Sequence, residues 1–148
     1  MQTTVHLHFK GNCTEAFKSY AEILGGRIAF SMTYAESPAA AETPPALRNQ
    51  IIHARLEFGS QAILGADASP EHYHTPQGFN VCVAVDKPAD AERIFKALAD
   101  RGSTTMPLQE TFFAQRFGMC TDRFGIPWMV NCPKPPEAMA GGGRKVLA

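Results

Sequence analysis

The sequence lacks the features that mark several large classes of protein. Its 14 basic and 14 acidic residues give a formal net charge of zero, and they form no basic run of the kind that contacts nucleic acid. Its longest apolar runs are far shorter than the roughly 20 residues that a membrane-spanning helix needs. The first residues, MQTTVHLHFKGN, do not follow the charged-then-apolar order of a signal peptide. We therefore expect a soluble, cytoplasmic protein that binds neither nucleic acid nor a membrane.

Cysteine is scarce, and its spacing excludes the common motifs. The four cysteines are Cys13, Cys82, Cys120 and Cys132. None belongs to a C-x-x-C pair, which argues against a zinc knuckle or a thioredoxin-like motif. We expect free thiols that are mostly buried.

The chain does have periodic segments, in an order that repeats. Val5, Leu7 and Phe9 alternate with Thr4, His6 and His8, which is typical of a half-buried strand. Asn12 and Glu15 then resemble a capping box. Alternation predicts strands at 4–9, 27–34, 50–58, 61–66, 79–85, 104–111, 114–121 and 126–132. Helical spacing predicts one helix that ends at Gly25-Gly26 and another between Pro88 and Gly102, and residues 35–45 read as a loop or lid.

The repeat indicates duplication. Ala16 and Tyr20 of the first helix correspond to Ala91 and Phe95 of the second. The sequence therefore predicts an α+β fold in which two βαβββ modules, about 3–67 and 78–133, form a curved mixed sheet around a central cleft. They make one domain, 1–133. Residues 134–148 contain two prolines and three consecutive glycines, which predicts a flexible tail.

The central cleft supplies the first candidate ligand-binding residues. His6 and His8 lie on the strand face that does not meet the helix. In the second half, Asn80, Cys82 and Ala84 occupy the same face of the corresponding strand. Small side chains opposite imidazoles favour an open cleft over a filled core.

Three long motifs resemble a known family. They are F-x-G-N-C-x-E-A-F-x-x-Y-x-x-x-x-G-G (9–26), IIHARLEFG (51–59) and MPLQETFFAQRFGMCTDRFGIPWMVN (106–131). They resemble the PhnB-like subgroup of the vicinal oxygen chelate superfamily, which includes glyoxalase I, fosfomycin- and bleomycin-resistance proteins and extradiol dioxygenases. Some members of this subgroup carry the label 3-demethylubiquinone 3-methyltransferase. No strand of this sequence leads into a G-x-G-type loop for S-adenosylmethionine, so we do not expect a methyltransferase.

The resemblance implies where a metal ion would bind. In the superfamily's metal enzymes, His and Glu ligands come from the first and last strands of each half. His6 matches the first ligand, but Gln61–Asp67 has no Glu, and Asn80 stands where His is common. The superfamily's last Glu falls near Met129, a thioether that suits a hard divalent ion poorly. With His6 as the only plausible ligand, we expect no complete metal site and no cofactor.

Other polar residues have two interpretations each. His53, Arg55 and Glu57 share one strand face and could form a ligand-binding cluster with Glu57 as a general base, or a solvated or dimer-facing surface. Glu110 could be a base whose pKa is raised by burial, or it could pair with Arg116 across a hairpin. Gln109 lies beside them as a further ligand-binding candidate.

Aromatic residues and loop histidines are similarly ambiguous. Trp128 could pack in the core or stack on a planar ligand as a wall of the cleft. Phe112 and Phe113 point to opposite sides of any strand, so one could meet a ligand or a second subunit. The loop histidines His72 and His74 could be exposed or part of a lid. Asp122 is expected to cap the turn before Gly125.

The leading hypothesis is a small-molecule-binding protein of the glyoxalase/bleomycin-resistance type without a complete metal site. The alternative is a metal-dependent or Glu-based lyase, isomerase or transferase of the same superfamily. A third hypothesis is an interaction module whose cleft is filled by side chains. The resemblance also implies a homodimer.

Overall fold

The computed structural model describes residues 1–136. The chain divides into two compact units, Met1–Gln77 and a second unit that begins at Gly78. Most of the predicted flexible tail, residues 137–148, lies outside the described residues. No helix in residues 1–136 is long and apolar enough to cross a membrane.

The first unit contains one helix and one four-stranded sheet. The helix α1 is Cys13–Leu24, and short 3-10 turns cover Ala40–Glu42 and Pro45–Leu47 within and after the predicted lid. The strand order is β1-β4-β3-β2, with β1 parallel to β4 and the other pairs antiparallel. The strands are β1 His6–Phe9, β2 Arg27–Thr33, β3 Ile51–Phe58 and β4 Gln61–Asp67.

The second unit repeats this topology. Its helix α2 is Pro88–Ala99, and its strand order is β5-β8-β7-β6, with β5 parallel to β8. The strands are β5 Val81–Ala84, β6 Ser103–Gln109, β7 Ala114–Thr121 and β8 Pro127–Pro133. The predicted α+β class with two βαβββ modules is confirmed. Where we predicted one curved sheet, the hydrogen-bonded strands form two four-stranded sheets.

Each helix packs on one face of its own sheet. In the first unit, Leu7 and Phe9 of β1 are buried together with Phe17 and Tyr20 of α1. Gly65 of β4 makes room for the helix, because a Cβ there would lie 2.6 Å from the Phe17 ring. His6 and His8 alternate with Leu7 and Phe9 along β1. They therefore lie on the opposite, exposed face of the sheet.

The start of α1 differs from the predicted capping box. The Asn12 side chain makes no cap hydrogen bond. The carboxylate of Asp67 takes that place, since its Oδ1 accepts hydrogen bonds from the backbone N–H groups of Gly11 and Cys13 at 2.9 and 3.0 Å. Asp67 reaches them because β4 runs parallel to β1 and places Asp67 beside Phe9. A residue 54 positions away thus replaces the local cap, which local sequence could not show.

Candidate functional site

The exposed face of β1 presents a pair of imidazoles. The ring centroids of His6 and His8 are 4.8 Å apart, and the rings are tilted by 43°. Two side chains separated by one strand residue point to the same face, so this proximity follows from the local backbone.

These two histidines line a pocket of about 580 Å³ within the first unit. A volume of this order fits a small organic molecule. Its floor comes from β1 and β4, and its walls come from the segments before β3 and after β4. The lining residues are His6, His8, Tyr34, Pro44, Leu47, Ile52, Ala66, Asp67, Ala68, Ser69, Glu71 and His72.

The electrostatics of the pocket favour a neutral His6. Partial burial lowers the pKa of His6 below its ordinary value of 6.5, and the neighbouring charges of His8 and His53 lower it further. A neutral imidazole has one N–H donor and one acceptor nitrogen. His6 can therefore offer either role to a ligand at neutral pH.

Two further hydrogen bonds organise the wall of the pocket. The Tyr34 hydroxyl donates to the backbone carbonyl of Asp67 at 2.8 Å, and burial together with the Asp67 charge raises the pKa of Tyr34. Ser69 Oγ lies 2.7 Å from His72 Nδ1. Of the two loop histidines, His72 lines the pocket and His74 does not.

The Asp67 carboxylate is held by the backbone. Besides the two bonds at the start of α1, its Oδ2 accepts the N–H of Ile51 at 2.9 Å. The residue is only 2% exposed. Its oxygens therefore stabilise the fold by accepting backbone N–H groups. Asp67 has this structural role even though it is the acidic residue at the end of β4.

The predicted cluster on β3 has a different arrangement. Glu57 accepts hydrogen bonds from Arg55 at 2.7 Å and from Arg27 at 3.0 Å, and the Arg55 hydrogen bond lowers its pKa. A carboxylate held ionised in this way is a weak proton acceptor. His53 lies against Phe30, with ring centroids 5.7 Å apart. None of the three predicted cluster residues, His53, Arg55 and Glu57, is among the residues that line the pocket.

Glu110 has neither of the two environments predicted for it. Its side chain is 67% exposed and pairs with Lys134 at 3.2 Å, so it is neither buried nor paired with Arg116. Arg116 instead contacts Glu92 of α2, with 3.2 Å between Nε and Oε1. The physical reason is that Glu110 lies beyond the end of β6, and that Arg116 pairs with the buried Cys132 of β8 and so lies on the face of the sheet that α2 covers. Gln109 pairs with Phe117 across the sheet.

The structure also decides the position of Trp128. It is fully buried, and its Nε1 donates to Asp122 Oδ2 at 2.8 Å. Asp122 Oδ1 accepts the N–H groups of Phe124 and Ile126, as expected for a residue that caps this turn. Trp128 therefore packs in the core, which removes it from the ligand-binding candidates. Asn80 lies exposed just before β5.

The carboxylate at the end of β4 is already engaged by the backbone. His6 is accompanied by an Asp67 carboxylate that three backbone N–H groups already use, and β8 presents Met129 where the resemblance implies Glu. In residues 1–136 no three His, Cys, Asp or Glu side chains are grouped so that they could hold a metal ion.

The sequence did not identify Tyr34, Ser69 and Glu71 as pocket residues, because only the folded loops bring them beside β1.

Comparison with solved structures identifies the class of fold. The fold is that of the glyoxalase/bleomycin resistance/dioxygenase superfamily. The fosfomycin resistance protein FosX from Mesorhizobium loti, which is 9% identical, matches 95% of this chain and 97% of its own with a TM-score of 0.61. A glyoxylase/bleomycin resistance protein/dioxygenase domain from Frankia, 15% identical, matches 90% of this chain and 98% of its own with the same TM-score.

The sequence identifies the family within that class. The chain belongs to the family described as 3-demethylubiquinone-9 3-methyltransferase, which matches residues 1–131. It is 32% identical to protein YjdN of Escherichia coli K12 over 142 residues, which cover 90% of this chain and 97% of YjdN. Protein PA1353 of Pseudomonas aeruginosa is 43% identical, with a TM-score of 0.83 over 91% of this chain and 99% of its own.

Proposed function

We propose that this protein binds a small molecule in the pocket beside His6 and His8, without a complete site for a hard divalent ion. The observation that carries the proposal is a pocket of about 580 Å³ whose floor holds two adjacent imidazoles. Convergent polar groups on a concave surface are the usual features of a ligand site.

The pocket's chemistry suggests the kind of ligand. Pro44, Leu47 and Ile52 supply apolar surface, while His6 and His8 supply polar contacts. The Glu71 carboxylate adds a negative charge at the wall. We propose a ligand with an apolar body and one or two hydrogen-bonding groups that meet the imidazoles.

The topology of each unit argues against the family's methyltransferase description. Each unit is a mixed sheet with one parallel strand pair. A doubly wound parallel sheet binds its cofactor at a glycine-rich turn between a strand and a helix. Here β1 is followed by Lys10-Gly11-Asn12, which lacks the G-x-G pattern, and the Gly11 N–H bonds to Asp67. We therefore propose that the protein does not use S-adenosylmethionine.

An enzymatic role based on Glu57 or Glu110 has less support. Glu57 is paired with two arginines, and Glu110 is exposed and paired with Lys134. If either acted as the general base, replacing it with Gln would lower turnover roughly 100-fold or more. The alternative function, a lyase, isomerase or transferase, would be supported by such a loss of turnover measured with an identified substrate.

Fragment binding followed by NMR tests the pocket. We expect aromatic and polar fragments to shift the imidazole signals of His6 and His8, and we expect His6→Ala with His8→Ala to weaken binding by about tenfold or more. His74→Ala is the matched control, since His74 does not line the pocket. Fragments that bind only elsewhere, or a pocket that admits none, would support an interaction module instead.

Metal content after purification tests the second part of the proposal. A stoichiometric divalent ion that is lost in His6→Ala would contradict it. We further propose that the protein is a homodimer in the cytoplasm, where its four free cysteines would stay reduced.

A further inference from the structure

Sulfur-containing side chains form a row across the second sheet. Met106 on β6 is the register partner of Met119 on β7, Met119 is the partner of Met129 on β8, and Met129 is the partner of Cys82 on β5. The row thus crosses all four strands. It contains three of the six methionines of the chain.

The four residues lie on one face of the sheet. Partners in adjacent strands point to the same side, with Cβ atoms about 4.5–5.5 Å apart. The other side belongs to α2, because Trp128 and Val130 on either side of Met129 are fully buried, and a Cβ on Gly118 would lie 2.8 Å from the Phe95 ring of α2. The sulfur row is therefore on the face that α2 does not cover.

Access and flexibility suit the row to a ligand. Cys82 and Met106 are exposed, and Met119 and Met129 are partly exposed. Methionine has three rotatable side-chain bonds, so sulfur atoms on neighbouring strands can converge. Met129 lies between Met119 and Cys82 on adjacent strands, whereas the register is irregular on both sides of Met106.

We propose that Cys82, Met129 and Met119 form a binding site for a soft monovalent metal ion such as Cu(I). Thioether and thiolate ligands select Cu(I) over harder ions. The same Met129 that fails as a ligand for a hard divalent ion becomes the central donor here. Met106 extends the site by one further thioether.

Charge balance supports a monovalent ion. The thiolate is the ligand form of cysteine, so binding breaks the S–H bond of Cys82, forms a copper–sulfur bond and passes the proton to solvent. One positive charge enters as one leaves, so the site gains no net charge. Because binding releases one proton, the apparent affinity should increase by about tenfold for each unit by which the pH is raised while the free thiol is protonated.

Competition with a chromogenic Cu(I) chelator tests the proposal on the full-length, reduced protein under anaerobic conditions. We expect one Cu(I) per chain, and we expect Met129→Leu and Cys82→Ser each to weaken binding by about tenfold or more. Met32→Leu is the matched control, because Met32 lies on β2 of the first unit.

X-ray absorption at the copper edge separates this site from the histidine pocket. We expect a first coordination shell of sulfur alone, and a shell that includes nitrogen would overturn the proposal. So would failure to bind Cu(I) in competition, or an affinity that Met129→Leu and Cys82→Ser leave unchanged. Circular dichroism of each variant verifies that the fold is retained, and Met119→Leu provides a second thioether deletion should Met129→Leu unfold the protein.

Discussion

At the scale of single residues, two buried carboxylates bind backbone N–H groups, and the sequence revealed this role for only one of them. Asp67 and Asp122 are both buried, and both accept hydrogen bonds from backbone N–H groups. The cap by Asp122 is local and was predicted from the sequence. The cap by Asp67 joins three segments of the first unit, which only the folded chain brings together.

Asp67→Ala should destabilise the protein by roughly 3–5 kcal/mol, because it leaves the N–H groups of Gly11, Cys13 and Ile51 without their acceptor. Urea unfolding followed by circular dichroism measures the change. Asp100→Ala is the control, since the Asp100 side chain is 65% exposed, and its effect should stay within about 0.5 kcal/mol. Equal effects of the two substitutions would contradict the role of Asp67.

The lowered pKa of His6 predicts a pH dependence of stability. The folded protein binds the His6 proton less tightly than the unfolded chain does, so the unfolded state gains protons first as the pH falls. The contribution of His6 to the free energy of unfolding is therefore fully present above the ordinary pKa of 6.5. It decreases as the pH falls from there through the lower pKa of the folded state. Other ionisable side chains lie near His6, namely His8, His53, Glu71 and His72.

Thermal unfolding between about pH 8 and pH 5 measures this dependence. We expect the Tm of His6→Gln to fall less on acidification than that of the wild type, because glutamine does not titrate. His74→Gln should follow the wild type. The opposite result would be a wild-type Tm that rises as the pH falls below 6.5 while the Tm of His6→Gln stays constant. It would show that folding raises the pKa of His6, and it would disprove the lowered pKa.

At the scale of elements, each helix packs on its sheet through an aromatic ring that meets a glycine. Phe17 of α1 lies over Gly65 of β4, and Phe95 of α2 lies over Gly118 of β7. The helical periodicity of Phe17 and Phe95 predicted both helices and their buried faces. The matching glycines could not be assigned from the sequence, because they lie on strands distant along the chain.

Gly118→Ala should destabilise the second unit by about 1–3 kcal/mol, since the new methyl group meets Phe95 and the Leu108 backbone. Phe95→Leu should recover part of this loss in the double variant. Equilibrium unfolding of the two single variants and the double variant gives the coupling energy. Strictly additive effects would show that the ring of Phe95 is not the obstacle.

At the scale of the whole molecule, the family and the duplicated topology are established, and the assembly is a proposal. Phe112 is 84% exposed, with its ring 5.1 Å from that of Phe113. Phe113 in turn contacts Phe117, with ring centroids 5.0 Å apart. An exposed aromatic residue anchored on an aromatic cluster is a typical contact residue.

Sedimentation velocity tests the proposed homodimer. We expect a dimer for the wild type, and we expect Phe112→Ser to shift the equilibrium toward monomer by about tenfold or more in the dissociation constant. Phe30→Ser is a control for the loss of an exposed aromatic ring, because Phe30 lies on β2 of the first unit and is 44% exposed. A wild-type monomer would contradict the proposal.

The sequence by itself determined the fold, because alternation in the strands, helical spacing and the repeated order of elements are local patterns that each half of the chain carries in full. It also placed His6 and His8 on the exposed face of β1, since side-chain parity follows directly from strand geometry. Only the tertiary structure decided which distant groups meet. The Asp67 cap, the Arg116–Glu92 pair, the burial of Trp128 and the walls of the pocket all depend on strand register and loop paths, which join residues far apart in the chain.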